Sequence, residues 1–325
     1  MSSEGTPPGR MRRSLSPGRE LVLVSALYLL LTAALTYPLV LRLGSHIPGF
    51  GDAPRMVWDS WAFARAATDP QVPMSTTDLI FHPLPDVPTV WEATPSLFLG
   101  VPFEFLLGPV ITYNLIFLMS FVLSASFTFL LARHLAASRT ASFVAGAIFS
   151  FSAFHYAHGL GHMHMFSMQW LPFCLLSLLL FWGRPRIGRA VLLAIAMVLV
   201  VADSPYYALY FLAPVLVCFL VCQMWKDRSR LLERRFVAGL MLALGVAAIS
   251  AIMVYPRMFF PDPGAAKAIA EVGADTERYS ADLLAYVIPS PLHPVFGDLA
   301  APVYAPFTAF PNHAEMIVFL GYVAI

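Results

Sequence analysis

The chain has 325 residues, 58% of them hydrophobic and only 12% charged. Soluble domains carry roughly 45–50% apolar and about 25% charged residues, so this composition excludes a single soluble core and points to a polytopic membrane protein. The net charge of +1 selects no partner, and no basic patch of the kind that binds nucleic acid is present.

In chain order, residues 1–19 form a basic, polar stretch that reads as a disordered cytoplasmic tail. A transmembrane domain follows over 20–325. A helical span needs about 20 apolar residues, and seven runs qualify: 20–43, 109–132, 140–157, 166–182, 187–203, 206–225 and 236–255. The expected fold class is therefore an all-α polytopic helical bundle of about seven complete spans plus the start of another. The first run exceeds a signal-peptide core and reads as an uncleaved anchor. A final apolar run begins at Glu315 and ends at Ile325. At about 1.5 Å per residue it reaches roughly half the hydrocarbon core, so the natural chain is expected to continue. Cys174, Cys218 and Cys222 all lie in apolar stretches and read as small core residues, not as a disulfide or metal framework.

Basic residues near span ends set the orientation. With the N-terminus inside, only Arg42, Arg55, Arg65, Arg257, Lys267 and Arg278 of the 20 basic residues fall outside. Acidic residues do the reverse, with only Glu4, Glu20, Asp227 and Glu233 inside. Two outer loops are long, 44–108 and 256–314, and loops of that length are usually functional. The first contains TPSLFLGVPFEFLLG (94–108), too short to span and expected to lie at the interface as an amphipathic or re-entrant helix.

GDAPRMVWDSWAF (51–63) concentrates charge just beyond the first span. As a helix over 52–65, it would be capped by Asp52, with Pro54 in its first turn. Asp52, Arg55 and Asp59 would then share a face, with Trp58 and Trp61 beside it at headgroup level. That arrangement has a purely structural reading, a capped interfacial helix with an Arg55–Asp59 pair. Its functional reading is a carboxylate shielded at the membrane surface, with a raised pKa, acting as a general base. Such a base suits sugar transfer from a polyprenyl-phosphate donor, held by its tail in the membrane, to a glycan, lipid or protein acceptor from the outer side. Cationic groups would steady the departing phosphate.

HYAHGLGHMHM places His155, His158, His162 and His164 at the outer end of the third span. Closely spaced imidazoles can chelate a divalent metal, but Gly159 and Gly161 break the helical register and the spacing fits no zinc motif. Contact with a lipid phosphate or a sugar hydroxyl is the preferred reading, and no other cofactor pattern is present. Further on, Asp203 precedes Ser204-Pro205-Tyr206-Tyr207. The structural reading is favoured there, with Ser204 as a cap and Asp203 at the positive end of the next helix. In the alternative, Asp203 and Tyr206 hold a sugar. Arg55, Arg257 and Arg278 are the candidates for the phosphate.

The order of span, outer loop with an early Asp, several spans and second long outer loop resembles the GT-C superfamily of integral-membrane glycosyltransferases. It is especially similar to a branch of poorly characterised bacterial multi-spanning proteins. The resemblance is carried by TYPLVLRLGSHIPGFGDAPRMVWDSWAF, by LLGPVITYNLIFLMSFVLSASFTFLLARHLAASRTASFVAGAIFSFSAFHYAHGLGHMHMFSMQWLPF, by YSADLLAYVIPSPLHPVFG and by AEMIVFLGYVAI. It implies a cell-membrane glycosyltransferase with an outer active face and Asp52 as base. The paired acids common in the superfamily are absent, because Ala53 follows Asp52, and Asp59 is the second candidate. The recurrent GH…QWLP pattern singles out His162 and Gln169, and Glu315 matches a polar position that often reaches the active site. Two rivals belong to other classes: a transporter or flippase of lipid-linked sugars, and a non-catalytic assembly subunit with the same fold. The runs 110–132 and 237–254 hold no Asp, Glu, Lys or Arg, which disfavours transport through the midplane.

Overall fold

The structure, a computed structural model, describes residues 16–49, 51–260, 283–291 and 296–306. The elements that build the membrane domain are α1 (Pro17–Leu35), α2 (Ala53–Thr68), a two-strand hairpin of β1 (Thr76–Thr77) and β2 (Val87–Pro88), α3 (Thr94–Leu107) and α4 (Pro109–His134). Next come α5 (Arg139–Ser150), α6 (Ala153–Gly159), α7 (Met163–Phe166), α8 (Trp170–Gly183) and α9 (Ile187–Asp203). After α10 (Pro205–Tyr207) a π-helical turn, Ala208–Leu212, runs into α11 (Ala213–Lys226). The short α12 (Arg228–Leu231) leads to α13 (Arg234–Val254) and α14 (Pro256–Phe259), and α15 (Gly297–Tyr304) is the last described helix. The antiparallel hairpin pairs Thr76 with Pro88 and Thr77 with Val87.

Among the described residues five helical stretches are long and apolar enough to cross a membrane: Pro17–Leu35, Pro109–His134, Met163–Gly183, Pro205–Lys226 and Arg234–Val254. Their outer faces carry exposed Val22, Leu30, Leu209, Met241, Ile249 and Met253, the surface that lipid tails would cover. This is a helical membrane protein. The remaining two expected spans, 140–157 and 187–203, are not among these five. The run 140–157 is split, because Ser152 accepts a hydrogen bond from the backbone N–H of His155 (3.4 Å) and so starts α6 as a new helix. The run 187–203 is one helix with those same bounds, 17 residues long. The first run, expected over 20–43, ends its helix at Leu35, because Pro38 biases the preceding residue out of the helical region. A 3-10 turn at Leu39–Leu41 follows. The final run from Glu315 lies outside the described residues.

Three packed regions hold the bundle. Phe181, Leu193, Met197, Phe236 and Leu240 join α8, α9 and α13. Phe129, Ala125 and Tyr28 join α1 to α4, and the Tyr28 hydroxyl donates to the Phe143 carbonyl at 2.8 Å. Gly146 on α5 sits against that hydroxyl so closely that no Cβ would fit. The third region unites α2, α3, α4 and α7 through Met56, Phe63, Leu97, Tyr113, Phe117 and Phe166. At one end of the bundle Glu20 meets Arg139 (3.0 Å) and Arg133 (3.7 Å), and Arg230 donates to the Gly183 carbonyl at 2.6 Å. These contacts tie the start of α1 to the α4–α5 turn, and the α8–α9 turn to α12.

α3 is buried against α2, α4 and α9, and carries Ser96 and Glu104 inward. The Ser60 hydroxyl donates to Glu104 Oε2 at 3.2 Å, so a polar contact fixes α2 on α3. The segment 94–108 thus packs one face inward and leaves Phe98, Phe105 and Leu106 exposed on the other.

Candidate functional site

The site is assembled from stretches distant in sequence: 43–49, 51–59, 91–96, 155–169 and 203–207. The first is anchored by Asn114 of α4, whose side-chain NH₂ donates to the carbonyls of Leu43 and His46, both at 2.7 Å. Gly49, at φ +83, then packs its backbone onto the Leu160 carbonyl, too close for any side chain. That contact brings the start of α2 to the turn between α6 and α7. His162 Nε2 lies 3.9 Å from Asp52 Oδ2 there. The two side chains remain accessible, 34% and 59% exposed.

Asp52 occupies the N-cap position of α2, as the sequence implies, but its backbone is helical and its side chain caps no amide. Pro54 supplies the pre-set first turn instead. The expected capping role is therefore corrected: the carboxylate faces His162. One turn further, Arg55 Nε and Asp59 Oδ2 stand 3.5 Å apart, the i, i+4 pair expected from the spacing. Asp59 is only 4% exposed. Burial pushes its carboxyl up to about 6, against the lowering effect of Arg55 and with a further rise from Glu92. Of the two candidate carboxylates, Asp59 is the one shielded from water, whereas Asp52, the first candidate for the base, is accessible.

Glu92 is the residue that sequence reasoning missed. Its Oε2 lies 3.1 Å from His164 Nδ1. Burial raises the Glu92 carboxyl, but the adjacent His164, Arg55 and His162 outweigh it and hold the group below its ordinary value. Ala93, in the left-handed region at φ 57, turns the chain from Glu92 into α3. A non-glycine residue there costs about 1 kcal/mol or more and is kept by its surroundings. Here the Ala93 N–H donates to the Asp203 carbonyl at 2.9 Å. The only local signal was Glu92's place in the long segment between the first two apolar runs, and its partner lies far along the chain.

The histidines separate by role. His155 is fully buried, stacked 3.9 Å from Phe121, with Nδ1 2.7 Å from the Ser150 carbonyl and Nε2 2.9 Å from the Ser120 hydroxyl. Both ring nitrogens are used inside the core. His158 Nδ1 lies 3.2 Å from His162 Nδ1. His164 pairs with Glu92 and stacks on Tyr206, ring centres 5.7 Å apart. Among the described residues no group of three or more His, Cys, Asp or Glu is arranged to hold a metal ion.

Asp203 and Gln169 lie beneath this surface. Asp203 is fully buried and accepts from Ser96 at 3.2 Å. Ser96 also bonds Ser167 (2.9 Å) and accepts from the Gln169 amide (3.4 Å). Ser204 occupies the N-cap position of α10 without making a side-chain cap, which corrects the expected Ser204 cap, and its hydroxyl is buried. The Tyr207 hydroxyl donates to the Met165 carbonyl. The 203–207 segment therefore clamps both Glu92–Ser96 and Met165–Ser167, the supports of the His164–Glu92 pair. Arg257 lies exposed on α14, just past Tyr255, whose hydroxyl donates to the Ala202 carbonyl at 3.2 Å. Arg278, Lys267 and Glu315 lie outside the described residues.

Of the predicted site residues, Asp52, Arg55, Asp59, His162, His164 and Tyr206 are linked at one surface, while Gln169 and Asp203 support it from below. A chemistry open to this surface is proton transfer by an accessible carboxylate beside an imidazole, with a guanidinium one helical turn away. The sequence model of one family, described as a domain of unknown function (DUF6311), matches residues 22–322. No curated protein matches the chain.

Proposed function

The chain belongs to the DUF6311 family, and from its site we propose that it is a membrane glycosyltransferase that uses a polyprenyl-phosphate sugar. The observation that carries this reading is the approach of His162 to Asp52, 3.9 Å, with Arg55 on the next turn of the same helix. The resemblance to GT-C glycosyltransferases supports it. In this account seven segments cross the membrane, with the split α5–α6 and the 17-residue α9 as the two short ones. The N-terminus is cytoplasmic and Asp52 lies on the outer face.

The acceptor hydroxyl gives its proton to the Asp52 carboxylate as its oxygen bonds to the anomeric carbon. The bond from that carbon to the phosphate oxygen breaks on the opposite side, and the lipid phosphate leaves with the electron pair. Configuration inverts. Arg55, oriented by Asp59, balances the charge that grows on the leaving phosphate. Glu92 and His164 hold the facing wall.

The test is transfer by the full chain in lipid nanodiscs, given polyprenyl phosphates that carry labelled hexoses or pentoses and a mixture of membrane glycans and lipids. Label should move to an acceptor with inverted anomeric configuration, read by NMR. Absence of transfer from every donor, or retained configuration, contradicts the reading.

A further inference from the structure

Two clefts open side by side along α2. One, of about 630 Å³, is lined by Arg55, Trp58 and Asp59 on the helix. The other, of about 410 Å³, lies between Trp61 and Arg65 on the helix and Asp78 and Asp86 of the hairpin. Both volumes fall within the range of small-molecule sites. The helix residues that line them, from 55 through 58, 59, 61 and 62 to 65 and 66, recur at steps of three and four and form one stripe. Asp52 lies one step before its start. From Asp52 to Arg65 the helix rises about 20 Å, the reach of several sugar units.

Trp91 and Thr89 border both clefts and make them one interrupted groove. The Trp91 ring is held in place. Its Nε1–H donates to the Met74 carbonyl at 2.6 Å, Phe63 meets it edge-on at 5.5 Å, and Trp58 lies nearly parallel at 6.4 Å. The hairpin wall is also fixed, because Asp78 Oδ1 accepts the backbone N–H of Asp86 at 2.7 Å. Arg65 covers part of Trp61, 5.2 Å from its ring centre.

Rigid aromatic faces with charged hydrogen-bonding groups at their rims match a pyranose, which has an apolar C–H face and a belt of hydroxyls. An acyl chain would leave the rim charges unused. Three carboxylates, Asp59, Asp78 and Asp86, oppose two guanidiniums, Arg55 and Arg65, so the groove disfavours acidic sugars. We propose that this stripe is the acceptor groove and that it takes a neutral or amino-bearing oligosaccharide, its reacting hydroxyl at the Asp52 end. The inference rests on the transferase reading and adds the class of acceptor to it.

The experiment reads tryptophan emission of the full chain in nanodiscs, free of glycosidic detergent. The probes are maltotriose, cellotriose, mannotriose, chitotriose and the chitosan trimer, with trigalacturonate as the acidic counterpart. At least one neutral or amino trimer should bind, and trigalacturonate more weakly. Trp61→Ala and Asp86→Asn should weaken that binding tenfold or more, with Trp61→Phe restoring part of it. No binding by any neutral or amino trimer, preference for the acidic one, or equal binding by Trp61→Ala and Asp86→Asn overturns the groove. The two readings fail separately. Trimer binding that depends on Trp61, in a protein that transfers no sugar, sinks the transferase and leaves the groove. Sugar transfer unaffected by Trp61→Ala and Asp86→Asn sinks the groove alone.

Discussion

Glu92 Oε2 stands 3.1 Å from His164 Nδ1, so the loop that leads into α3 and the short helix α7 meet at one point. Because Glu92 is held below its ordinary value of 4.5, its contribution to stability is present above that pH and is lost as pH falls through the lowered folded value. Glu92→Gln should flatten this acid limb of the thermal-unfolding profile. An unchanged acid limb would show that Glu92 does not stabilise the fold as a carboxylate.

Asp59 has the opposite sign. Its folded value, about 6, exceeds the ordinary 3.8, so its contribution is fully present below pH 3.8 and is lost as pH rises through about 6. Asp59→Asn should therefore stabilise the protein at pH 8, by on the order of 2 kcal/mol. The gap from the unsubstituted protein should close at pH 4. Unfolding temperatures of both proteins at the two pH values check this. Weaker binding of the lipid phosphate should accompany the gain, because Arg55 loses its orienting partner.

Gly49 couples the loop to the site. Gly49→Ala adds a Cβ against the Leu160 carbonyl at a φ of +83, and should cost about 2 kcal/mol or more. It should also separate Asp52 from His162 and lower transfer. A variant with unaltered unfolding temperature and turnover would show that this contact does not position Asp52.

Much of the architecture follows from local pattern. The apolar run 187–203 is α9 with the same bounds, and Arg55–Asp59 form the pair that their spacing implies. Local pattern fails where long-range contacts decide. Asp52 in a capping sequence turns to His162, Ser152 starts a new helix inside an apolar run, and Glu92 gains its meaning only from His164. Asp203 is buried, and its contacts are long-range ones that local pattern does not give. It bonds Ser96 and holds Ala93, where the sequence suggested a helix-dipole effect.

Asp203→Ala should leave Ser96 without its acceptor and cost roughly 1–3 kcal/mol, whereas Asp203→Asn should retain part of the stability. Thermal unfolding orders the two. Equal losses would mean that the hydrogen bond to Ser96 contributes nothing beyond packing.

The proposed outer placement of the site has its own check. With Cys218 and Cys222, both exposed, replaced by serine and the buried Cys174 kept, Ser45→Cys should react with a membrane-impermeant maleimide in intact cells. Labelling only after the membrane is opened would reverse the orientation.

The most direct measurement compares sugar transfer by the unsubstituted chain and by Asp52→Asn, each in nanodiscs and each shown by thermal unfolding to be folded. Removal of a general base should slow turnover by roughly 10²–10⁴ with little change in binding of the polyprenyl-phosphate donor. Turnover equal to that of the unsubstituted chain would contradict the central claim that Asp52 takes the acceptor's proton.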